Sequence, residues 1–249
     1  MKNNSIVFFL LVSFFCFSQI NNGVVTYGVV KNDIEKYTDS EYLIQMDKEA
    51  KEIASSIVLN ISFNKQEIGY KVKEIALPKD KSTDDYTFSL DFEEKIYENR
   101  KKKIYRKYFS SPRIGDVVKI DTLQYKWTIT KETKEINSYI CYKATTLRYG
   151  DKGPLDEKHS ITAWFTPKIP VPYGPNGYGK LPGLILELQS YRSTIFVKTI
   201  DLNLKQDPEI DTLENYPQLT GDEILEYMMS SMTPEQKKAV LDSKRINEK

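Results

Sequence analysis

The feature that most constrains this chain is a two-residue hydrophobic period, recurring in short runs. Ile57, Leu59, Ile61 and Phe63 alternate with Val58, Asn60 and Ser62. A strand sends successive side chains to opposite faces, so this spacing makes one apolar face, whereas a helix would scatter the same residues around its axis. Similar runs occupy Val24 to Val30, Gly69 to Leu77, Tyr86 to Phe92, Lys103 to Phe109, Val117 to Ile120, Tyr125 to Thr130 and Tyr139 to Leu147, enriched in Tyr, Ile, Val and Thr. Leu184, Leu186 and Leu188 share one face, with Ile185, Glu187 and Gln189 on the other. After Ser190-Tyr191-Arg192-Ser193, Thr194 to Leu202 alternates again, which reads as a hairpin with a four-residue connection. The expected fold class is mainly β, a curved antiparallel sheet that forms a half-barrel or sandwich.

Helical signals are few. Lys48 to Ser56 lacks alternation, so part of Asp33 to Ser55 is expected to be helical. Thr220-Gly221-Asp222-Glu223 and Thr233-Pro234-Glu235-Gln236 are capping boxes, the second with Pro at the first helical position. They predict short C-terminal helices near 221–231 and 234–245, a helical tail on one β-rich domain spanning 19–249. Met228, Met229 and Met232 fall in this tail. Met228 and Met232 share a face with Ile224 and read as a packing stripe rather than a soft-metal site.

Residues 150–183 concentrate the chain-bending residues: six of the 11 Pro and six of the 11 Gly. Pro167, Pro170, Pro172 and Pro175 fix φ and push the preceding residues to extended geometry, so the run from Ala163 to Pro175 is expected to be neither helix nor central strand. Pro182-Gly183 suits the middle of a type II turn, in which glycine takes a positive φ. A long connection of this kind is usually functional or disordered. Trp164, Phe165, Ile169, Val171, Tyr173, Tyr178 and Leu181 argue against disorder, because so much apolar area would be left in water. The expectation is an ordered loop packed on the sheet.

The stretch Lys180-Leu181-Pro182-Gly183-Leu184-Ile185, preceded by Ala163 to Pro175, resembles the hexapeptide that names the GLPGLI family of exported bacterial proteins. Lys134-Glu135-Ile136 and Cys141-Tyr142-Lys143-Ala144-Thr145 resemble that family's approach to the loop. The likeness is strong over about 130–190. Lys180 stands in place of the hexapeptide's first glycine, and the family's usual tryptophan near Asn176 and a further glycine near this turn are missing. A ligand pocket shaped by that aromatic would differ here. The resemblance implies export to a Gram-negative envelope and a β-rich fold, and it assigns no reaction.

The N-terminus agrees with export. Lys2 precedes an apolar or small-residue run of 12 residues, Ile6 to Phe17. That is too short to span a bilayer, and Cys16-Phe17-Ser18 resembles a cleavage site, so 1–18 is expected to be a signal peptide. No later run resembles a membrane-spanning segment. The expected location is periplasmic or associated with the outer membrane. Removal of Cys16 leaves Cys141 alone, expected to be a buried hydrophobe.

Composition excludes some functions. With 36 Lys+Arg against 35 Asp+Glu, nothing global favours nucleic acid. The single His leaves little room for zinc or haem chemistry, and Asp156, Glu157 and His159 sit in a Gly/Pro turn without a second cluster. No cofactor and no metal are expected. Hydrolase signatures such as Gly-x-Ser-x-Gly are missing. The basic run Arg100 to Lys107 reads as a charged edge strand with Ile104 inward, or as a patch for an anionic partner.

The resulting expectation is a cell-envelope binding or accessory protein rather than an enzyme. Its ligand would be a small apolar molecule or a peptide, held by Trp164, Phe165, Tyr173, Tyr178, Leu181, Pro182 and Gly183. The alternatives are an envelope hydrolase acting through paired carboxylates, for which sequence spacing offers no test, and a docking subunit whose partner is an outer-membrane protein such as a transporter.

Overall fold

A computed structural model describes residues 20–33, 41–79, 81, 83–111, 114–120, 125–147, 149–150, 153–154, 160–230 and 233–234. The first half contributes β1 (Gly23–Lys31), α1 (Glu41–Ala54), β2 (Val58–Phe63), β3 (Glu67–Glu74), α2 (Asp84–Leu90), β4 (Lys95–Asn99), β5 (Ile104–Ser111) and β6 (Gly115–Ile120). The second half contributes β7 (Thr128–Ile136), β8 (Tyr139–Leu147), β9 (Tyr149–Gly150), β10 (Gly153–Pro154), β11 (Ser160–Thr166), β12 (Leu184–Gln189), β13 (Ser193–Leu202), β14 (Gln218–Leu219) and α3 (Gly221–Ser230).

Twelve strands form one open sheet in the order β14-β6-β5-β4-β3-β2-β1-β13-β12-β11-β8-β7, while β9 and β10 pair separately. The order follows from the chain's two halves. From β1 the chain steps outward through β2 to β6 in antiparallel neighbours. From β7 it steps inward through β8, β11, β12 and β13, until β13 zips antiparallel against β1. The sheet is thus two arms joined at their first and last long strands. The short β14 adds a parallel pair to the β6 edge.

Alternation decides which face is buried. Val25, Tyr27 and Val29 of β1 join Leu59, Ile61 and Phe63 of β2 in the core. Tyr70, Ile96 and Tyr105 from one arm and Ala144, Ala163, Phe165 and Leu188 from the other belong to the same cluster, together with Ala50, Ala54, Tyr86 and Leu90 of the helices. Strands this far apart in the order share one core only because the sheet curves around it. Burying each large apolar side chain contributes about 2 kcal/mol. The opposite face of the first arm carries a smaller cluster of Tyr97, Tyr108, Val118 and Leu213, covered by the chain returning after β13.

The strand expectation holds at most positions, Tyr139–Leu147 among them, and four readings are corrected. Tyr86 to Phe92 is mostly the helix α2, because Tyr86 and Leu90, four apart, are the buried pair there. The basic run does not form an edge. Arg100 to Lys103 make the turn between β4 and β5, and β5 lies between β4 and β6. Arg106 is held by Gln218, the Thr212 carbonyl and Glu214, while Lys107 pairs with Glu93 at 2.5 Å. Ala163 to Thr166 is the end of a central strand, and Pro167 marks where pairing stops. The β12–β13 link is shorter than expected, since Ser193 already belongs to β13. The box at Thr220 caps α3: Glu223 accepts from the Thr220 amide at 2.7 Å, and the Thr220 hydroxyl accepts from the Glu223 amide at 3.3 Å. The reading of a helix over 234–245 and the acidic/His group at 156–159 lie outside the described residues, as do the side chains of Met228 and Met232.

Candidate functional site

The connection from β11 to β12 crosses the concave face as an ordered span. Ile169, Val171, Tyr173 and Leu181 are buried in the main core. The Leu184 and Ile185 amides donate to the Ile169 and Tyr173 carbonyls at 2.9 Å, and the Lys180 amide donates to the Pro172 carbonyl at 3.0 Å. Pro172 has no amide to donate but keeps its carbonyl, so its place in the span uses only what proline offers.

The span is tied to both arms. On the first arm, Asn176 accepts from the Glu93 amide at 2.7 Å and donates to the Asp91 carbonyl at 3.1 Å. Arg100 donates to the Pro172 carbonyl at 3.0 Å and lies 4.2 Å from the Tyr173 ring centre, while Tyr173 packs on Phe63 at 4.9 Å. On the second, Trp127 donates to the Gly179 carbonyl at 2.8 Å, and the Tyr125 hydroxyl accepts from the Gly179 amide at 2.6 Å. Tyr125, Trp127 and Tyr178 form a ring cluster at 5.3 to 6.0 Å.

Backbone demands account for the small residues. A Cβ on Gly183 would lie 2.1 Å from the Thr166 carbonyl oxygen, so this glycine is needed for close approach. Its φ is not positive, contrary to the type II turn expectation. The left-handed positions are Asn176 (φ 58°), Gly177 (φ 76°) and Lys180 (φ 62°). Asn tolerates that region, whereas a lysine there costs about 1 kcal/mol.

Two spaces open where this span meets the β4–β5 turn. The inner one, about 20 Å³, is lined by Tyr70, Ile96, Tyr125, Tyr173 and Tyr178 and has room for one water. The Tyr70 hydroxyl is buried there without a protein partner, which a single water would satisfy. Burial raises the Tyr70, Tyr125 and Tyr173 phenols above their ordinary range, so they are protonated donors at neutral pH. The outer space is a cleft of about 400 Å³ lined by Glu98, Asn99, Arg100, Lys103, Ile104, Tyr105, Gly177 and Lys180.

Only part of the expected site gathers here. Tyr173 and Tyr178 line the inner space. Phe165, Leu181 and Gly183 are buried as packing, and Pro182 is exposed. Trp164, half-buried, lies under Lys134 at 4.5 Å, and Lys134 pairs with Glu187 at 2.7 Å. Glu98, Asn99, Tyr105, Tyr125 and Lys180 were not legible as site residues. Arg100 and Lys103 belong to the basic run, the one signal that pointed to this end of the sheet. Cys141 is buried, and burial raises its thiol pKa to about 11. Among the described residues, no three His, Cys, Asp or Glu side chains converge as metal ligands, and no helix is long and apolar enough to cross a membrane.

Residues 149–187, which contain the whole span, match a family described as "Protein of unknown function (Porph_ging)". No curated protein matches the chain. Two solved structures share the fold. One is PNGF-II in a C2 crystal, at 16% identity and a TM-score of 0.50, covering 84% of this chain and 32% of that one. The other is PNGF-II in a P21 crystal, at 14% identity and 0.51, covering 85% and 34%. The chain therefore spans about a third of the length of the structures it resembles.

Proposed function

We propose that the chain is an exported cell-envelope binding protein, periplasmic or outer-membrane associated, which takes its ligand where the 164–183 loop meets the β4–β5 turn. The observation that carries this reading is the cleft of about 400 Å³, a size that suits a small molecule, set against a loop anchored to both arms. A wall held by hydrogen bonds and buried rings loses little entropy on binding. The hexapeptide resemblance supports export and the loop's place in the reading. Lys180 occupies a left-handed position, a physical reason for glycine at that point in the hexapeptide. The loop's apolar side chains are largely engaged in the core, so a ligand in the cleft meets charge and aromatic edges. The described lining contains one carboxylate, Glu98, and so supplies no acid pair for the hydrolase alternative.

A second reading, a docking subunit for an outer-membrane protein, is favoured by the exposed Ile129, Ile140 and Tyr142 on the edge pair β7–β8. Native mass spectrometry of protein purified from its own envelope separates the two. Binding requires a retained small molecule, lost in Tyr105→Ala, which lines the cleft, and kept in Trp164→Ala, which does not. A co-purifying polypeptide with no small molecule supports docking and refutes the cleft.

A further inference from the structure

We infer that the open edge of β7 pairs with the same edge of a second copy of this chain, joining two sheets across a two-fold axis through Thr133. This edge lies outside the cleft and its lining. Among the described residues, β7 is the last strand of the sheet and β8 is its one neighbour. Asn137 and Ser138 join the two strands, both at positive φ (47° and 65°), as a two-residue type I′ hairpin requires. In such a hairpin the flanking pair, Ile136 and Tyr139, exchanges both backbone hydrogen bonds, and the ladder alternates from there. Lys134 therefore faces Cys141 in a bonded pair. Thr133 and Glu135 turn their amides and carbonyls away from β8, to the open side.

The order of charges selects the partner. Lys131-Glu132-Thr133-Lys134-Glu135 has one uncharged residue, at its centre. When a strand pairs antiparallel with its own copy, the residue on the axis meets itself, and residues equally far on either side meet each other. Directly opposed side chains share a face, so the axis cannot fall between two residues, which point to opposite faces. An axis through any of the four charged residues sets like charges opposite. An axis through Thr133 sets Lys131 against the partner's Glu135 and Glu132 against the partner's Lys134, each twice by symmetry. Lys131 and Glu135 are exposed and have no salt-bridge partner among the described residues. Glu132 and Lys134 already pair with Lys143 at 3.0 Å and Glu187 at 2.7 Å, so the Lys131–Glu135 pairs carry the selection. From Ile129 to Thr133 the chain takes four steps where β8 takes two, from Ala144 to Tyr142, so β7 bulges there. The Glu132 amide is spent within the bulge, on the Thr130 hydroxyl at 3.2 Å. Backbone pairing thus centres on Thr133, and Lys131 reaches the partner's Glu135 through its flexible side chain. Charge and a bulge can also keep an edge unpaired. That role needs no particular order of charges, and it leaves the exposed Ile140 and Tyr142, on the face of Thr133 and Glu135, unexplained.

The test is sedimentation velocity on the full mature protein. Self-association that weakens with added salt is expected. Lys131→Glu and Glu135→Lys, both at exposed positions, should each weaken it at least about tenfold, because each sets two like-charge pairs across the seam. An equal mixture of the two variants should associate as the wild type does, since every charge at 131 and 135 then meets an unlike one. A merely structural role for either residue produces no such rescue. Thr133→Cys should form an intermolecular disulfide on mild oxidation and Glu135→Cys should not, because a bonded pair on the axis places its Cα atoms about 5.5 Å apart. A wild type that stays monomeric at about 0.5 mM, single variants that associate like the wild type, or a mixture that stays apart overturns the inference. A different polypeptide captured at this edge in place of a second copy also overturns it, and supports the docking reading. None of these results bears on the cleft, so the binding reading stands or falls separately.

Discussion

Asn176 offers the sharpest test of how the crossing loop is held to the first arm. Its side chain accepts from the Glu93 amide at 2.7 Å and donates to the Asp91 carbonyl at 3.1 Å, a span of more than eighty residues along the chain. Asn176→Ala removes both bonds and leaves two partly buried backbone groups without these partners. At about 1–2 kcal/mol for each group, the expected loss is about 2–4 kcal/mol. The left-handed φ of 58° adds to that, since alanine lacks asparagine's tolerance of this region. Asn176→Gly relieves the backbone and should recover about 1 kcal/mol of the loss, while the bonds stay lost. Asn176→Asp keeps the acceptor for Glu93 but sets a carboxylate against the Asp91 carbonyl, so it should be destabilised at neutral pH and partly restored when protonated. Urea unfolding at unchanged m reads all three. An Asn176→Ala midpoint equivalent to less than about 0.5 kcal/mol of destabilisation would refute the clamp.

Other consequences are quicker to check. Gly183→Ala places a methyl 2.1 Å from the Thr166 carbonyl oxygen, backbone against backbone, and should lower thermal stability by about 3 kcal/mol or more; a midpoint near wild type would contradict the close approach. Cys141, with its thiol pKa raised by burial to about 11, should resist iodoacetamide at pH 8 until denaturant is added; rapid labelling of the native protein would contradict its burial. Glu67 is held below the ordinary glutamate range, chiefly by the Tyr97 hydroxyl at 2.6 Å. Its contribution is therefore full above the unfolded value and lost as pH falls through the folded one. The stability gap between wild type and Glu67→Gln should narrow from pH 6 to pH 3, and a constant gap would count against the linkage.

Local pattern carried most of the sheet. The alternation of Ile57 to Phe63 is visible because Leu59, Ile61 and Phe63 are buried while Val58, Asn60 and Ser62 between them are not, whereas in β12 Leu184, Ile185 and Leu186 are all buried. The β4 strand was hidden: in Lys95-Ile96-Tyr97-Glu98-Asn99, Ile96 and Tyr97 enter different clusters on opposite faces, so no single apolar face exists. The α2 segment was misread because Tyr86, Phe88 and Leu90 fit a period of two as well as one turn of helix. The basic run looked like an edge because the segment that holds Arg106, at Thr212 and Gln218, lies more than a hundred residues away in the chain. The loop's order was legible from its ring-bearing residues, but its cleft was not. Lys103 and Lys180 meet only because β4, β5 and the β11–β12 span converge in three dimensions, and no local spacing records that.

The central claim is that the Pro- and Gly-rich crossing is a rigid part of the β scaffold. Amide hydrogen exchange at Gly179, Lys180, Leu184 and Ile185 tests it most directly, since each donates to a named acceptor: the Tyr125 hydroxyl, the Pro172 carbonyl, the Ile169 carbonyl and the Tyr173 carbonyl. Exchange within about tenfold of the Leu186 and Leu188 amides in β12 is expected. Exchange at the rate of an unstructured peptide would contradict the claim and remove the rigid wall on which the cleft depends.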